Sequence, residues 1–192
     1  MAGDLVANPP EVHDDAREVI DFWFEEVPED KWFARDDALD AAIADRFSRV
    51  RDTIVATRAE GWRGDAETLL AAVIVVDQFS RNLFRGQAEA FAADALALEL
   101  TRLAIAKGWD RNLPLGQRAF LYMPLMHAED GDAQAESVAC FTALGDENNL
   151  KYARAHVDVI ARFSRFPGRN AALGRVSTDK ETAFLASGQG DW

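Results

Sequence analysis

Residues 69–82 read LLAAVIVVDQFSRN, and this stretch decides between a helical fold and a fold that contains a sheet. The apolar run 69–76 taken alone is compatible with a buried strand. Two alanines interrupt it, a polar helix-like continuation follows it, and Asp65 is well placed to cap a helix that begins at Ala66. The pattern therefore predicts a central buried helix over 66–83.

The segments on both sides also have helical patterns. Between Asp36 and Glu60, Leu39, Ile43, Phe47, Val50 and Ile54 recur at intervals of three or four residues, which places them on one helix face. Gly108 and Gly145 are placed to end helices, and Thr178 with Glu181 has the spacing of a capping box. No alternating strand pattern appears. We expect eight helices, at 11–26, 36–60, 66–83, 89–107, 115–129, 132–144, 149–163 and 178–186.

These helices predict an all-α fold of about eight antiparallel helices in one domain over 1–192, because short connections place successive helices side by side. Residues 1–10 and 187–192 are expected to be flexible ends.

The charge of the chain is unevenly distributed. The net charge is -12, and residues 1–76 hold 18 acidic and eight basic side chains. Such acidity argues against a nucleic-acid partner and against binding to an anionic membrane. Residues 159–178, in contrast, carry four arginines and no acid. A local cluster of this kind can attract a small anion despite the overall charge.

The single cysteine, Cys140, excludes an internal disulfide and a multi-cysteine metal site. Only three histidines are present, without the spacing of a zinc motif, so we expect no metal and no cofactor. The longest apolar run is far shorter than the roughly 20 residues of a membrane span. We therefore expect a soluble cytoplasmic protein, and the sequence leaves a homo-oligomer open.

Four groups of polar residues that could take part in binding or catalysis lie within apolar stretches of the sequence. Asp77 and Arg81 are four residues apart, so they share a helix face and can pair, with Arg85 one turn further on. A second group follows Tyr122, where His127 comes after an apolar stretch and Pro124.

His156 lies on the apolar face of its helix and needs a partner, for which Asp77, Glu129 or a backbone carbonyl are the alternatives. The fourth group is the Arg-rich segment, with Arg162, Arg165, Arg169 and Asn170. For each arginine, pairing with a carboxylate of a neighbouring helix is the competing structural interpretation.

Long motifs in the chain resemble the bacterial DUF924 family, whose function is unknown. They are FWF at 22–24, DQFSRNLFRG at 77–86, YMPLMHAE at 122–129, and RFSRFPGRN followed by LGR and ST at 162–178. The resemblance implies a tetratricopeptide-like, right-handed array of antiparallel helix pairs, and it implies no established activity. The chain departs from the family pattern at four positions: Ser80 stands where the family has Pro, Ala128 where it has Ser, Ser164 where it has Gly, and Gly168 where it has His. We therefore assign no catalytic role to position 168.

Three functional hypotheses follow. The first is a concave pocket that binds a small anionic ligand or an acidic peptide end. The second is a metal-independent enzyme on a phosphate or carboxylate substrate, with His127 or His156 as general acid or base and Asp77 or Glu129 as the orienting carboxylate. The third is a scaffold for a protein partner. The candidate ligand-binding residues are Asp77, Arg81, Arg85, Tyr122, His127, His156, Arg162, Arg165, Arg169 and Asn170; Asp77, His127 and His156 are the catalytic candidates.

Overall fold

The computed structural model describes residues 10–188, and this part of the chain contains eight α-helices and no strand. The all-α prediction is confirmed. The predictions for residues 1–9 and 189–192 lie outside the described residues. The helices are α1 (Pro10–Asp21, continued by a π-helical turn at Phe22–Glu26), α2 (Asp37–Ala56), α3 (66–83), α4 (Asp94–Lys107), α5 (Leu115–His127), α6 (Gly131–Leu144), α7 (Glu147–Phe163) and α8 (Asp179–Ala186).

Helix α3 is the centre of the fold. The Asp65 carboxylate caps it by accepting the backbone N–H groups of Glu67 and Thr68, both at 3.0 Å. Every side chain from Leu69 to Val76 is fully buried, and α3 packs against α1, α2, α4 and α5. The apolar run is therefore a helix buried on all sides, as predicted.

The interior of α3 is irregular. Its α-helical segments Ala66–Ile74 and Ser80–Leu83 are joined by a π-helical turn at Val75–Phe79. Such turns are rare and are found disproportionately at functional sites. The turn includes Asp77, the first of the candidate residues.

Several predicted boundaries need correction. The helix expected from Glu89 begins at Asp94, because Ala88–Ala90 form a separate 3-10 turn. Helix α5 ends at His127 and not at Glu129, because the backbone of Ala128 is extended. The capping box at Thr178 is confirmed: its N–H donates to Glu181 at 2.7 Å, and its hydroxyl accepts from the Glu181 N–H.

In the described residues, the buried apolar side chains form a large cluster across α1 to α7 and a small cluster where α7 meets α8. The small cluster consists of Val159, Ile160, Phe166 and Phe184. Helices α5, α6 and α7 pack on one another in sequence. The right-handed tetratricopeptide-like arrangement and the single-domain organisation stay predictions.

Candidate functional site

A buried carboxylate and a half-buried histidine form the centre of the candidate site. The Asp77 side chain is 1% exposed, and the His127 side chain, at the end of α5, is 17% exposed. His127 Nδ1 lies 2.9 and 3.0 Å from the two Asp77 oxygens. An ionised carboxylate only accepts hydrogen bonds, so Nδ1 carries the proton and Nε2 presents a lone pair.

Three side chains hold Asp77 in place. The Gln78 amide donates to its Oδ2, His127 donates from the other helix, and Arg81 Nη1 lies 3.0 Å from Oδ1. The predicted pairing of Asp77 with Arg81 is therefore present. Burial raises the pKa of Asp77, but the charges of Arg81 and His127 outweigh it and hold that pKa well below its usual range.

Two arginines converge beside this pair on a second carboxylate. Arg81 donates to both oxygens of Asp94, each at 3.1 Å, and Arg169 donates to Asp94 Oδ2 at 3.0 Å. Arg169 also donates to the His127 carbonyl at 2.9 Å. The side chains of Arg81, Asp94 and Arg169 are 21%, 19% and 14% exposed, so each keeps partial contact with solvent.

Aromatic rings fix the position of Arg169. Its guanidinium carbon lies 4.7 Å from the ring centroid of Phe91 and 4.6 Å from that of Phe166. Contacts of this kind orient a guanidinium plane and add cation–π attraction. We call Asp77, Arg81, Asp94, His127 and Arg169 the His127 cluster.

The proton affinity of His127 is set by opposing influences. Burial lowers its pKa, Asp77 raises it, and Arg81 and Arg169 lower it further, with a net decrease. His127 is therefore neutral at pH 7, with Nε2 ready to accept a proton.

His156 adjoins the cluster but is buried. Its side chain contacts the ring of Phe166, and its ring centroid lies 6.4 Å from that of His127. Among the alternatives for its partner, the structure has a backbone carbonyl: Nδ1 lies 2.9 Å from the Tyr152 oxygen. Burial first, and then His127, lower the pKa of His156 to about 3.

The other candidate residues have separate contacts. Arg85 donates to Asp40 at 2.8 Å, and the Tyr122 hydroxyl donates to Asp110 at 2.6 Å. Arg165 is paired with Glu181, at 2.7 and 2.8 Å. Arg162 lies over the rings of Phe163 and Phe184 beside an open surface depression. Their role in ligand binding stays a prediction, and none of these contacts joins them to the His127 cluster.

Asn170 belongs to a supporting network behind Arg169. It accepts from Arg175 at 3.0 Å and donates to Ser177 at 3.0 Å. Arg175 in turn donates to both oxygens of Glu129, at 2.7 and 2.9 Å, and Glu129 accepts the Phe166 N–H at 2.7 Å. The network fixes the segment that carries Arg169 against the end of α5.

Sequence reasoning missed Asp94, which joins the two arginines. An acid in the first turn of a helix has an ordinary explanation, because it complements the helix dipole. The one sequence feature that pointed to such an acid was the need of Arg81 and Arg169 for a carboxylate partner. Phe91 and Phe166 were missed as well, since aromatic residues within apolar sequence are usually core.

Within residues 10–188, no group of three or more His, Cys, Asp and Glu side chains is placed to hold a metal ion. No helix in that range is both long and apolar enough to cross a bilayer. The predictions of no cofactor and of a cytoplasmic location stay predictions.

Comparison with known proteins identifies the family. A family model described as bacterial protein of unknown function (DUF924) matches residues 19–189. The chain belongs to the DUF924 family. A solved structure, described as a protein of unknown function ATU0120 from Agrobacterium tumefaciens, is 38% identical and superimposes with a TM-score of 0.87, covering 92% of this chain and 99% of that chain. No curated protein matches the chain.

Two positions at which the resemblance led us to expect another residue have a visible structural setting. Ser164 follows the last residue of α7 with φ +57°, a left-handed conformation that favours glycine. Gly168 is exposed in the 3-10 turn Pro167–Arg169, one residue before the arginine of the cluster.

Proposed function

We propose that the protein holds a small anionic molecule against His127 and that His127 exchanges a proton with it. One observation carries the proposal. A fully buried carboxylate orients an imidazole that is 17% exposed, and two half-buried guanidiniums lie beside it. The Asp77 carboxylate selects the tautomer of His127 and favours its imidazolium form, and the His127 imidazole contacts the bound anion.

The arginines supply the attraction for an anion. A guanidinium has five N–H donors. Asp94 and the His127 carbonyl take two of those of Arg169. The remaining donors are arranged in a plane that suits a carboxylate or a phosphate, and partial burial strengthens such contacts.

The proposal uses part of the predicted set. It assigns ligand contact to His127, Arg81 and Arg169, orientation to Asp77, and a supporting role to Asn170. His156 is buried and neutral, so we assign it to packing behind the cluster. The scaffold hypothesis has no contact in the described residues that favours it.

The test compares two arginines from the same segment of sequence. Thermal unfolding of wild type, R169K and R162K is followed against acetate, malonate and inorganic phosphate. A ligand of the folded state raises stability by RT ln(1 + [L]/Kd), which is about 2.7 kcal/mol at 100 times Kd. We expect R169K to weaken anion binding about tenfold or more, since Lys replaces a planar, stacked donor.

R162K is the matched control, because Arg162 lies over Phe163 and Phe184 outside the His127 cluster. It should bind the same anions within about twofold of wild type. The proposal is wrong if none of the three anions stabilises the wild type, or if R162K loses as much affinity as R169K.

A further inference from the structure

The charges around His127 are balanced. Helix α3 contributes Asp77 and Arg81, α4 contributes Asp94, and the turn Pro167–Arg169 contributes Arg169. Helix α7 contributes the neutral ring of His156. Two residues after His127, Glu129 is paired with Arg175. Three carboxylates thus face three guanidiniums, and with a neutral His127 the site has no excess positive charge.

An anion that enters a balanced, half-buried site adds an uncompensated charge. Such a charge is unfavourable in a half-buried site, and groups in this situation change their protonation state instead. The charges of Arg81 and His127 hold Asp77 ionised, Asp94 is paired with Arg81 and Arg169, and the guanidiniums stay protonated at ordinary pH. His127 is the group that can change, because its Nε2 accepts a proton and Asp77 stabilises the resulting imidazolium.

His156 does not provide the same compensation. It is 3% exposed, and its Nδ1 already has the Tyr152 carbonyl as a partner. Protonation would place a second cation in the core, beside an imidazolium at His127. The compensating proton therefore belongs to His127.

We infer that the ligand of the His127 cluster is a monoanionic carboxylate, and that its binding is coupled to the uptake of one proton by His127. The inference rests on the proposed function, and it adds the ligand class and the proton. One proton neutralises one negative charge, so a dianion leaves the site with an excess charge. A planar carboxylate also matches the planar guanidinium of Arg169 between its two aromatic rings.

The coupling also assigns the direction of proton transfer. In the complex His127 is an imidazolium with a proton on Nε2, on the side away from Asp77. His127 then acts as a general acid toward the bound molecule, and Asp77 acts as a positioning residue that keeps Nδ1 protonated.

The experiment measures the Kd of acetate, malonate and inorganic phosphate for the full chain at pH 6.5, 7.0, 7.5 and 8.0. Acetate is fully ionised throughout this range, so its own titration adds no pH dependence. If binding takes up one proton, Kd for acetate rises toward tenfold per pH unit. H127Q removes the proton acceptor, and its Kd for acetate should not change with pH.

D94N is a second variant that shifts the charge balance without touching His127. It leaves one guanidinium charge uncompensated. We expect acetate to bind D94N more tightly than wild type at pH 8.0, and with a weaker pH dependence, because the anion no longer needs a proton. Circular dichroism checks that each variant is folded before binding is measured.

The outcomes separate this inference from the proposed function. A wild-type Kd for acetate that is independent of pH contradicts the coupling and leaves the anion site standing. Tighter binding of malonate than of acetate contradicts the monoanion assignment, and tighter binding of phosphate than of acetate contradicts the carboxylate assignment. Failure of all three anions to bind contradicts the proposed function itself.

Discussion

The two histidines His127 and His156 differ in what their ring nitrogens contact. Nδ1 of His127 faces an ionised carboxylate, whereas Nδ1 of His156 faces a backbone carbonyl. A carboxylate stabilises a protonated ring far more than a carbonyl does. His127 is therefore suited to gain and lose a proton at Nε2, and His156 is suited to remain neutral.

The neutral state of His156 predicts a specific loss of stability in acid. The pKa of His156 is about 3 in the folded protein, against about 6.5 for an unfolded chain. Between these values only the unfolded state binds the proton, so the free energy of unfolding falls as pH is lowered from about 6.5 toward 3.

The variant H156N keeps a side-chain N–H donor for the Tyr152 carbonyl but does not titrate. As pH is lowered from 6 to 4, the free energy of unfolding should fall less steeply in H156N than in wild type. The two slopes should differ by about 1.4 kcal/mol per pH unit. Urea unfolding at several pH values measures the two slopes. Parallel slopes for the two proteins would show that His156 is not held neutral.

The pairing of Asp77 with Arg81 could be predicted from sequence, because residues four apart on a helix are neighbours. The contact of Asp77 with His127 could not be singled out, because the sequence left either His127 or His156 to pair with either Asp77 or Glu129. Asp94 could not be predicted, since its contacts with Arg81 and Arg169 span 13 and 75 positions and depend on how separate helices pack.

At the scale of elements, the ends of α7 and α8 offer a matched comparison. A serine follows the last residue of each helix, but Ser164 has φ +57° whereas Ser187 has φ -80°. A left-handed conformation costs a residue with a Cβ about 1–2 kcal/mol, and glycine avoids this cost at some loss of chain entropy. The two serines therefore respond oppositely to replacement by glycine.

We predict that S164G raises the free energy of unfolding by about 0.5–1 kcal/mol, or the melting temperature by about 1–4 °C. S187G should lower stability slightly, because it adds unfolded-state freedom and removes the Ser187 hydroxyl bond to the Phe184 carbonyl. Calorimetry of the two variants measures both changes. A destabilised S164G would contradict the strain assigned to Ser164.

The left-handed Ser164 also explains why the four arginines of 159–178 do not act together. Spacing of three or four residues places side chains on one face only while the helix continues. The helix ends at Phe163, so Arg165 and Arg169 leave α7 along a different path. The sequence pattern grouped these residues, and the chain turn separates them into contacts with Glu181 and Asp94.

The network of Glu129 predicts a local effect on the segment that carries Arg169. E129Q replaces a carboxylate that accepts hydrogen bonds from Arg175 and from the Phe166 N–H. The substitution should lower the local stability of this segment by about 1–2 kcal/mol. Amide hydrogen exchange over residues 166–175 should become about tenfold faster or more, while exchange in α3 stays unchanged.

E136Q is the control for this experiment. Glu136 pairs with Arg102 on the surface, where both side chains are 43% exposed, and such pairs contribute little. Exchange over 166–175 should stay within about twofold of wild type. Equal effects of E129Q and E136Q would contradict the role assigned to Glu129.

The helices themselves were largely predictable because their patterns are strong. The stripe of α2, the Asp65 cap and the capping box at Thr178 each follow from local physics. The π-helical turn at Val75–Phe79 was not predictable, since the run 69–76 that leads into it is apolar on every face and has no periodicity to interrupt. The turn packs against α2 and α4.

At the scale of the whole molecule, the net charge of -12 does not describe the site. The acidic excess belongs mostly to residues 1–76, while the His127 cluster takes its residues from α3, α4, α5 and the segment after α7. Every arginine of the cluster has a carboxylate partner. Anion binding therefore depends on local geometry and on one proton, and not on a broad positive surface.

The most direct test of this account is a titration of His127 by nitrogen-15 NMR, with and without acetate. The chain has three histidines, so H127Q assigns the resonance. We expect a neutral ring at pH 7 with the proton on Nδ1, and a pKa of His127 that rises when acetate is added. A His127 pKa that does not respond to acetate, malonate or phosphate, or a neutral ring with its proton on Nε2, would contradict it.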